Sequence, residues 1–492
     1  MSFVAGVSRP QALQCADRTR SGAGTAHLTV SDVFDVLIIG GGINGVGIAR
    51  DAAGRGLKVL LCERGDLASA TSSASSKMIH GGLRYLEHGA FRLVRESLAE
   101  REVLLKIAPH LVRPMRFVLP HGPGLRPRWM LRLGLFLYDR LGGARSLSGS
   151  RAVDLRTGPF GAPLREEVRG GFAYSDCVVD DARLTVANAR DAAHHGATIL
   201  TRTELVEARR DEHVWRASLV EAGGVAHQVA SRTLVNAAGP WAPQLRSRVG
   251  LSGRAGLRLV KGSHIVVNRL YDGDHAYLLQ NDDRRVAFAI PFERDYTLVG
   301  TTEAAAHDPH AEEVTGVEVD YLCRAAGRWF KHAPAPQDVV WRFSGVRPLY
   351  DDGAKSVAAT SRDYVFELDD DGPPGLSIFG GKLTTYRRLA EAALTRLRPH
   401  LPGMGPAWTA DAMLPDDSEV FAGAAADFAP GIGPEQVDFL TREEWVRTAD
   451  DILWRRSKLG LAVSPEQRAA LEHYLANRAV SASVTTEQTE DR

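Results

Sequence analysis

Cysteine is scarce. Cys15, Cys62, Cys177 and Cys323 are the four in 492 residues, and none stand in C-x-x-C spacing. This excludes a disulfide scaffold and a zinc site built on cysteine pairs; each thiol is expected to be a small core residue in a reducing compartment. Long apolar runs are missing as well. No stretch approaches the roughly 20 residues a bilayer-spanning helix needs, so no transmembrane segment is expected. Net charge is absent, because 60 Lys plus Arg balance 60 Asp plus Glu. That removes any general electrostatic case for nucleic acid and leaves anionic ligands to local clusters of cations. Residues 1–32 lack the apolar centre of a secretory signal and read as a disordered leader, or as a start placed too early. No internal repeat is visible.

What is present begins with DVLIIGGGING at residues 35–45. A short apolar run ends in glycines, INGVGIARDAAGRG follows with helical spacing, and KVLLCE reads as a second buried strand. The glycines fit G-x-G-x-x-G where the chemistry requires it. Gly40 makes the turn, Gly42 lets backbone approach a pyrophosphate, Gly45 permits close packing, and the helix start at Ile43 and Asn44 offers its positive end. Glu63 ends the second strand, 18 residues after Gly45, placed for an adenosine ribose. A 2′-phosphate would meet that carboxylate, which disfavours NADP.

The same fingerprint serves NAD and FAD. The discriminating segment is GLSIFGGKLTTYRR, where Gly380 and Gly381 open a second helix more than 300 residues later. A plain nicotinamide domain has no use for it. A long, bent FAD needs a second helix N-terminus near its ring system, where negative charge accumulates on reduction. The run SATSSASSKMIHGGLRYLEH after the second strand supplies hydroxyls for pyrophosphate, ribityl or flavin atoms, and reads equally as a solvated serine loop.

Several long motifs carry a resemblance: GGGINGVGIARDAAGRGL, ATSSASSKMIHGGLRYLEHGAFRLVRESLAEREVLLKIAPHL, FAYSDCVVDDARL, VNAAGPW, VKGSHIVV, FSGVRPL and FGGKLTTYRRLAE. Over about residues 33–415 the chain resembles the FAD-dependent glycerol-3-phosphate dehydrogenases. The resemblance implies an α/β fold with a FAD-binding Rossmann-like domain of the glucose oxidase and D-amino-acid-oxidase type, an inserted mixed or antiparallel β substrate domain, and a C-terminal helical cap that looks reduced here. It implies oxidation of sn-glycerol 3-phosphate to dihydroxyacetone phosphate on FAD, electrons passed to membrane quinone, and peripheral attachment to the cytoplasmic side of the cell membrane. A homodimer stays open, and no metal is expected.

Carried over position by position, the substrate pocket is lined by Arg84, Tyr85, His264, Arg347, Lys382 and Thr384. The cofactor side gathers Gly40, Gly42, Ile43, Asn44, Gly45 and Glu63, then Thr71, Ser72, Ser76, Lys77 and His80, with Gly239 in VNAAGPW and Gly380, Gly381, Lys382 and Leu383 at the second turn. Phosphate calls for fork-shaped donors and at least two cations, which Arg84, Arg347 and Lys382 can supply. Loss of hydride from C2 needs a base at the C2 hydroxyl, and His264 is the candidate; Arg347 or Lys382 is open to stabilise the developing alkoxide.

Domain boundaries follow: residues 33–105, 170–250 and 354–398 as a discontinuous FAD domain, 106–169 as a basic membrane-facing segment, 251–353 as the substrate domain and 399–492 as the cap. Residues 113–145 hold seven arginines against Asp139. Within them RWMLRLGLFLYDRLG reads as a helix with Arg128, Arg132 and Asp139 on a narrow polar stripe and apolar residues elsewhere, either dipping into headgroups with Trp129 and Tyr138 at a lipid interface or packed internally on the sheet. The paired His194 and His195 are expected at a solvated helix end. A capping-box spacing at Thr441 and Glu444 predicts a helix start in the cap.

Overall fold

The computed structural model describes residues 33–490, apart from 123, 144–145, 284, 311–312, 354–361 and 422–425. The expected leader, 1–32, and Arg145 lie outside the described residues.

Strand Val33–Ile39 is apolar on both faces and sits in the middle of a parallel stack, with Ala226–Asn236 on one side and Val59–Glu63 on the other. Gly375–Gly380 and Thr198–Thr201 extend the stack, and Tyr364–Asp369 closes one edge antiparallel. Continuous β-branched runs of this kind belong in a sheet covered on both faces. One face packs Val36, Ile38 and Leu61 against the helices Ile43–Gly54, Asp181–His194 and Tyr386–Leu397. The other buries Leu37 and Leu60 under Trp215 and Leu219 of the hairpin Thr203–Asp211 and Val214–Glu221.

A second sheet, of ten strands among the described residues, is built mainly from Leu257–Asn268, Ala276–Gln280, Val286–Phe292, Tyr296–Gly300 and Val339–Tyr350. Pairing within that group is antiparallel, as the alternating, polar-bounded segments predict. This sheet also claims Val112–His121 and Gly170–Val179, paired antiparallel over their full lengths. The expected boundaries at 106 and 170 do not follow the sheets: Val112–His121 and Gly170–Val179 are both strands of the second sheet, although the segments flanking them in sequence belong to the first.

Helix Arg128–Leu141 is present, and it lies on the second sheet with Leu131, Leu135 and Tyr138 buried in a core that includes Phe117 and Tyr174. Its outer face leaves Trp129 68%, Leu133 50% and Phe136 48% exposed. Tyr138 is corrected from interface to interior: it is 3% exposed, its hydroxyl donates to Asp176 at 2.8 Å and accepts from Gly81 N at 2.7 Å.

The C-terminal helices, including Pro434–Glu443 and Pro465–Glu490, share a small core of Val437, Leu440, Ile452 and Leu471. Thr441 and Glu444 do not form a capping box. Thr441 donates back to Val437 O within the helix, and fully buried Glu444 accepts from Arg183 at 2.5 Å. That ion pair docks the C-terminal helices onto helix Asp181–His194, and Arg455 on Asp66 at 2.5 Å adds a second contact. His194 closes its helix as expected, with exposed neighbours. Cys62, Cys177 and Cys323 are buried free thiols. Among the described residues no helix is long and apolar enough to cross a membrane, and no group of three metal-ligating side chains occurs.

Candidate active site

The first glycine turn lies at the carboxyl ends of the parallel strands, where open α/β sheets bind ligands. Gly40 has φ +117°, and a Cβ there would lie 2.5 Å from Ala237 O; one on Gly45 would lie 1.9 Å from Gly40 O. Only glycines allow strand and helix to meet so closely. Beyond them opens a cavity of about 350 Å³ lined by Gly40, Gly42, Glu63, Thr71, Ser72 and Gly239. Glu63 accepts from Gly41 N at 2.7 Å and from Gly65 N at 2.8 Å, so it also holds the turn in shape. Burial raises its pKa, and the two backbone donors work against that rise. Ser72 Oγ accepts from Ile43 N at the helix start, 3.0 Å.

The second glycine pair meets the first helix. Gly380 and Gly381 have φ +78° and +99°, a conformation that bulkier residues rarely adopt. The Asn44 amide donates to Gly380 O at 3.4 Å, while Asn44 Oδ1 is buried with no partner among the described residues. Residues after the pair continue as the 3₁₀ turn Leu383–Thr385 into helix Tyr386–Leu397. The start of helix Ile43–Gly54 and the second glycine turn are thus in contact.

Cations gather beside that turn. Lys382 Nζ lies 4.0 Å from the centre of the Tyr85 ring and 3.3 Å from Ser97 Oγ. Arg347 donates to Thr301 Oγ1 at 2.8 Å; Arg84 and Arg362 both face Glu303, at 3.6 and 3.3 Å. Burial and then Arg362 bring the Arg347 pKa down to about 10, against the opposing pull of Glu303 and Tyr85. Burial alone would raise the Tyr85 phenol, yet Lys382, Arg362, Arg347 and Arg84 bring it below its ordinary value. Burial also lowers Lys382. The site holds more positive charge than it neutralises internally, which is the electrostatics of an anion site.

His264 lies beside this cluster, fully buried and stacked 4.8 Å from Phe343 at 11°. Its Nε2 shares a hydrogen with Ser76 Oγ at 2.9 Å, and Nδ1 has no partner among the described residues. Burial, Arg347 and Lys77 push its pKa well below the ordinary value, so the ring is neutral and able to accept a proton.

A family model described as "FAD dependent oxidoreductase" matches residues 35–387. The chain belongs to this family. Its relatives include the glycerol-3-phosphate dehydrogenase of Pseudomonas aeruginosa, 48% identical over 92% of this chain and 97% of that one. The D-erythritol 1-phosphate dehydrogenase of Brucella abortus is 47% identical, over 91% and 98%. Among solved structures, the glycerol-3-phosphate dehydrogenase of Bacillus halodurans complexed with FAD superposes with TM-score 0.67 at 24% identity, covering 91% of this chain and 95% of that one. That likeness bears on the fold.

FAD is the cofactor of this oxidoreductase, and the cradle fits it. The cavity at Gly40, Glu63 and Gly239 suits the adenosine end, the start of helix Ile43–Gly54 the pyrophosphate, and the Gly380–Gly381 turn the ring system, with Asn44 Oδ1 an unsatisfied acceptor between them. Glu63→Ala is expected to lose both the ribose acceptor and the brace on Gly41, so flavin content after dialysis should fall well below that of the wild type. Undiminished flavin would remove Glu63 from cofactor binding.

Four of the expected site residues have protein partners of their own. Lys77 Nζ donates to Asp181 at 2.7 Å and to Ser73 O at 2.9 Å, which ties the serine loop to the start of helix Asp181–His194. Thr384 is 2% exposed and exchanges hydrogen bonds with the His80 main chain at 3.3 and 3.4 Å, so it ties the serine loop to the second glycine turn. Thr71 lines the cavity but donates to Val346 O at 2.6 Å, fixing that loop against the strand that carries Arg347. His80 contributes through packing, its ring 6.4 Å from Phe288 and its pKa pushed down to about 3 by burial, Lys382 and Arg101. Sequence reasoning missed Arg362, Thr301 and Glu303. Each is a single residue outside any motif, and the only available signal was the placement of Arg362 just before strand Tyr364–Asp369 and of the other two just after strand Tyr296–Gly300.

Proposed function

We propose that the protein oxidises sn-glycerol 3-phosphate to dihydroxyacetone phosphate and passes the electrons to membrane quinone while resting on the cytoplasmic face of the membrane. The observation that carries the substrate reading is the convergence of Arg84, Arg347, Arg362 and Lys382 around Tyr85, beside the Gly380–Gly381 turn. Guanidinium forks match a phosphate's oxygens, and a buried surplus of cations is satisfied by a dianion. FAD, when bound, supplies the hydride acceptor for the C2 carbon. The chain supplies the rest: arginines hold the phosphate, His264 takes the C2 hydroxyl proton, and Arg347 or Lys382 stabilises the oxygen as charge develops there.

A second reading rests on the Brucella relative, since the phosphate clamp alone also suits D-erythritol 1-phosphate. Steady-state assays with both phosphates separate the two: kcat/KM higher for glycerol 3-phosphate supports the first, and a preference for the four-carbon phosphate replaces it.

The membrane reading is supported by the exposed Trp129, Met130, Leu133 and Phe136 on helix Arg128–Leu141, flanked by exposed Arg132 and Arg140. An apolar face rimmed by arginines suits the boundary between anionic headgroups and acyl chains. Leu133→Asp with Phe136→Asp is expected to move the protein from pelleted anionic vesicles to the supernatant. Unchanged sedimentation would mean another surface carries the attachment.

A further inference from the structure

Glu303 is the carboxylate that reaches two of the phosphate-site arginines. Its Oε1 lies 3.3 Å from Arg362 Nη2 and 3.6 Å from Arg84 Nη1, and its side chain is 14% exposed. It follows strand Tyr296–Gly300 by a short loop whose Thr301 accepts from Arg347, so one loop faces all three guanidiniums. Satisfaction is incomplete, because Arg362 Nε is buried with no partner among the described residues. A carboxylate in this position occupies the same donors that a phosphate would need.

We propose that Glu303 is the resident counter-ion of the phosphate site, which the substrate's phosphate displaces from Arg84 and Arg362. This rests on the phosphate-ester reading above. The physical case is charge. Three partly buried guanidiniums without an anion repel one another, and a carboxylate facing two of them offsets that repulsion when the site is empty. When a dianion enters, the same carboxylate opposes it. The phosphate is a spectator in the oxidation and is common to substrate and product, so whatever holds it holds both equally. An internal competitor weakens that uniform grip and favours product release.

Glu303→Gln keeps the shape and removes the charge. Inorganic phosphate, titrated against the oxidised holoenzyme through its perturbation of the flavin absorbance, is expected to bind about tenfold more tightly to this variant, with KM for glycerol 3-phosphate lowered in parallel. Phosphate binding that is unchanged or weaker would show that Glu303 props the arginines instead of competing for them. Should the variant lose its flavin, the wild-type holoenzyme crystallised with sulfate decides. Sulfate on Arg84 and Arg362 with the Glu303 carboxylate turned away is expected; sulfate elsewhere, or Glu303 still on both arginines, overturns the proposal. Failure of glycerol 3-phosphate to reduce wild-type flavin would instead sink the substrate reading, because the inorganic phosphate test does not depend on turnover.

Discussion

Arg347→Ala should lower kcat/KM for glycerol 3-phosphate by about 10²- to 10³-fold while the protein keeps its FAD. Truncating one partner of a buried, charge-assisted pair costs about 2–5 kcal/mol, which is the basis of that range. Arg347 is anchored by Thr301 and destabilised by Arg362, so its guanidinium is held in place and short of negative charge until an anion arrives. Most of the loss should appear in KM, since phosphate binding is the same in ground and transition states. Any additional fall in kcat would assign Arg347, rather than Lys382, to the developing alkoxide. Near-normal turnover at low substrate would contradict the phosphate clamp.

His264→Ala is expected to reduce kcat by about 10²- to 10⁴-fold, the usual contribution of a positioned base, again with FAD retained. The pH dependence carries a sharper signature. The neutral ring is the active form, and its depressed pKa extends that form to lower pH, so kcat/KM should stay level through 6.5 and fall only well below it, once ionisation of the substrate phosphate is divided out. Bound phosphate offsets the repulsion from Arg347, which raises the His264 pKa in the complex. The acid limb of kcat should therefore lie above that of kcat/KM. Superimposable limbs, or a limb that survives in His264→Ala, would contradict the assignment.

Local chemistry explains what was legible in the chain. The turn at Gly40, Gly42 and Gly45, its strands and Glu63 lie within one βαβ unit, so spacing alone placed them. Gly380 and Gly381 were legible because a second glycine turn opening a helix has a cofactor reason to exist. Arg84, His264 and Arg347 stand far apart in sequence on different elements, and their meeting was legible only through the resemblance. Arg362 and Glu303 had no motif to announce them. Tyr138 was misread because an amphipathic pattern tells which residues share a face, not which face the fold covers; the second sheet claims its side of the helix. Glu444 shows the same limit: its spacing to Thr441 imitates a cap, but the positive charge of Arg183 decides where it goes.

The most direct test of the central claim is an anaerobic absorbance spectrum of the purified protein before and after glycerol 3-phosphate is added. The account predicts a visible flavin band that bleaches on addition, with dihydroxyacetone phosphate formed in proportion to the flavin reduced. A flavin band that persists in the presence of saturating glycerol 3-phosphate would leave the fold and the cofactor standing and contradict the substrate.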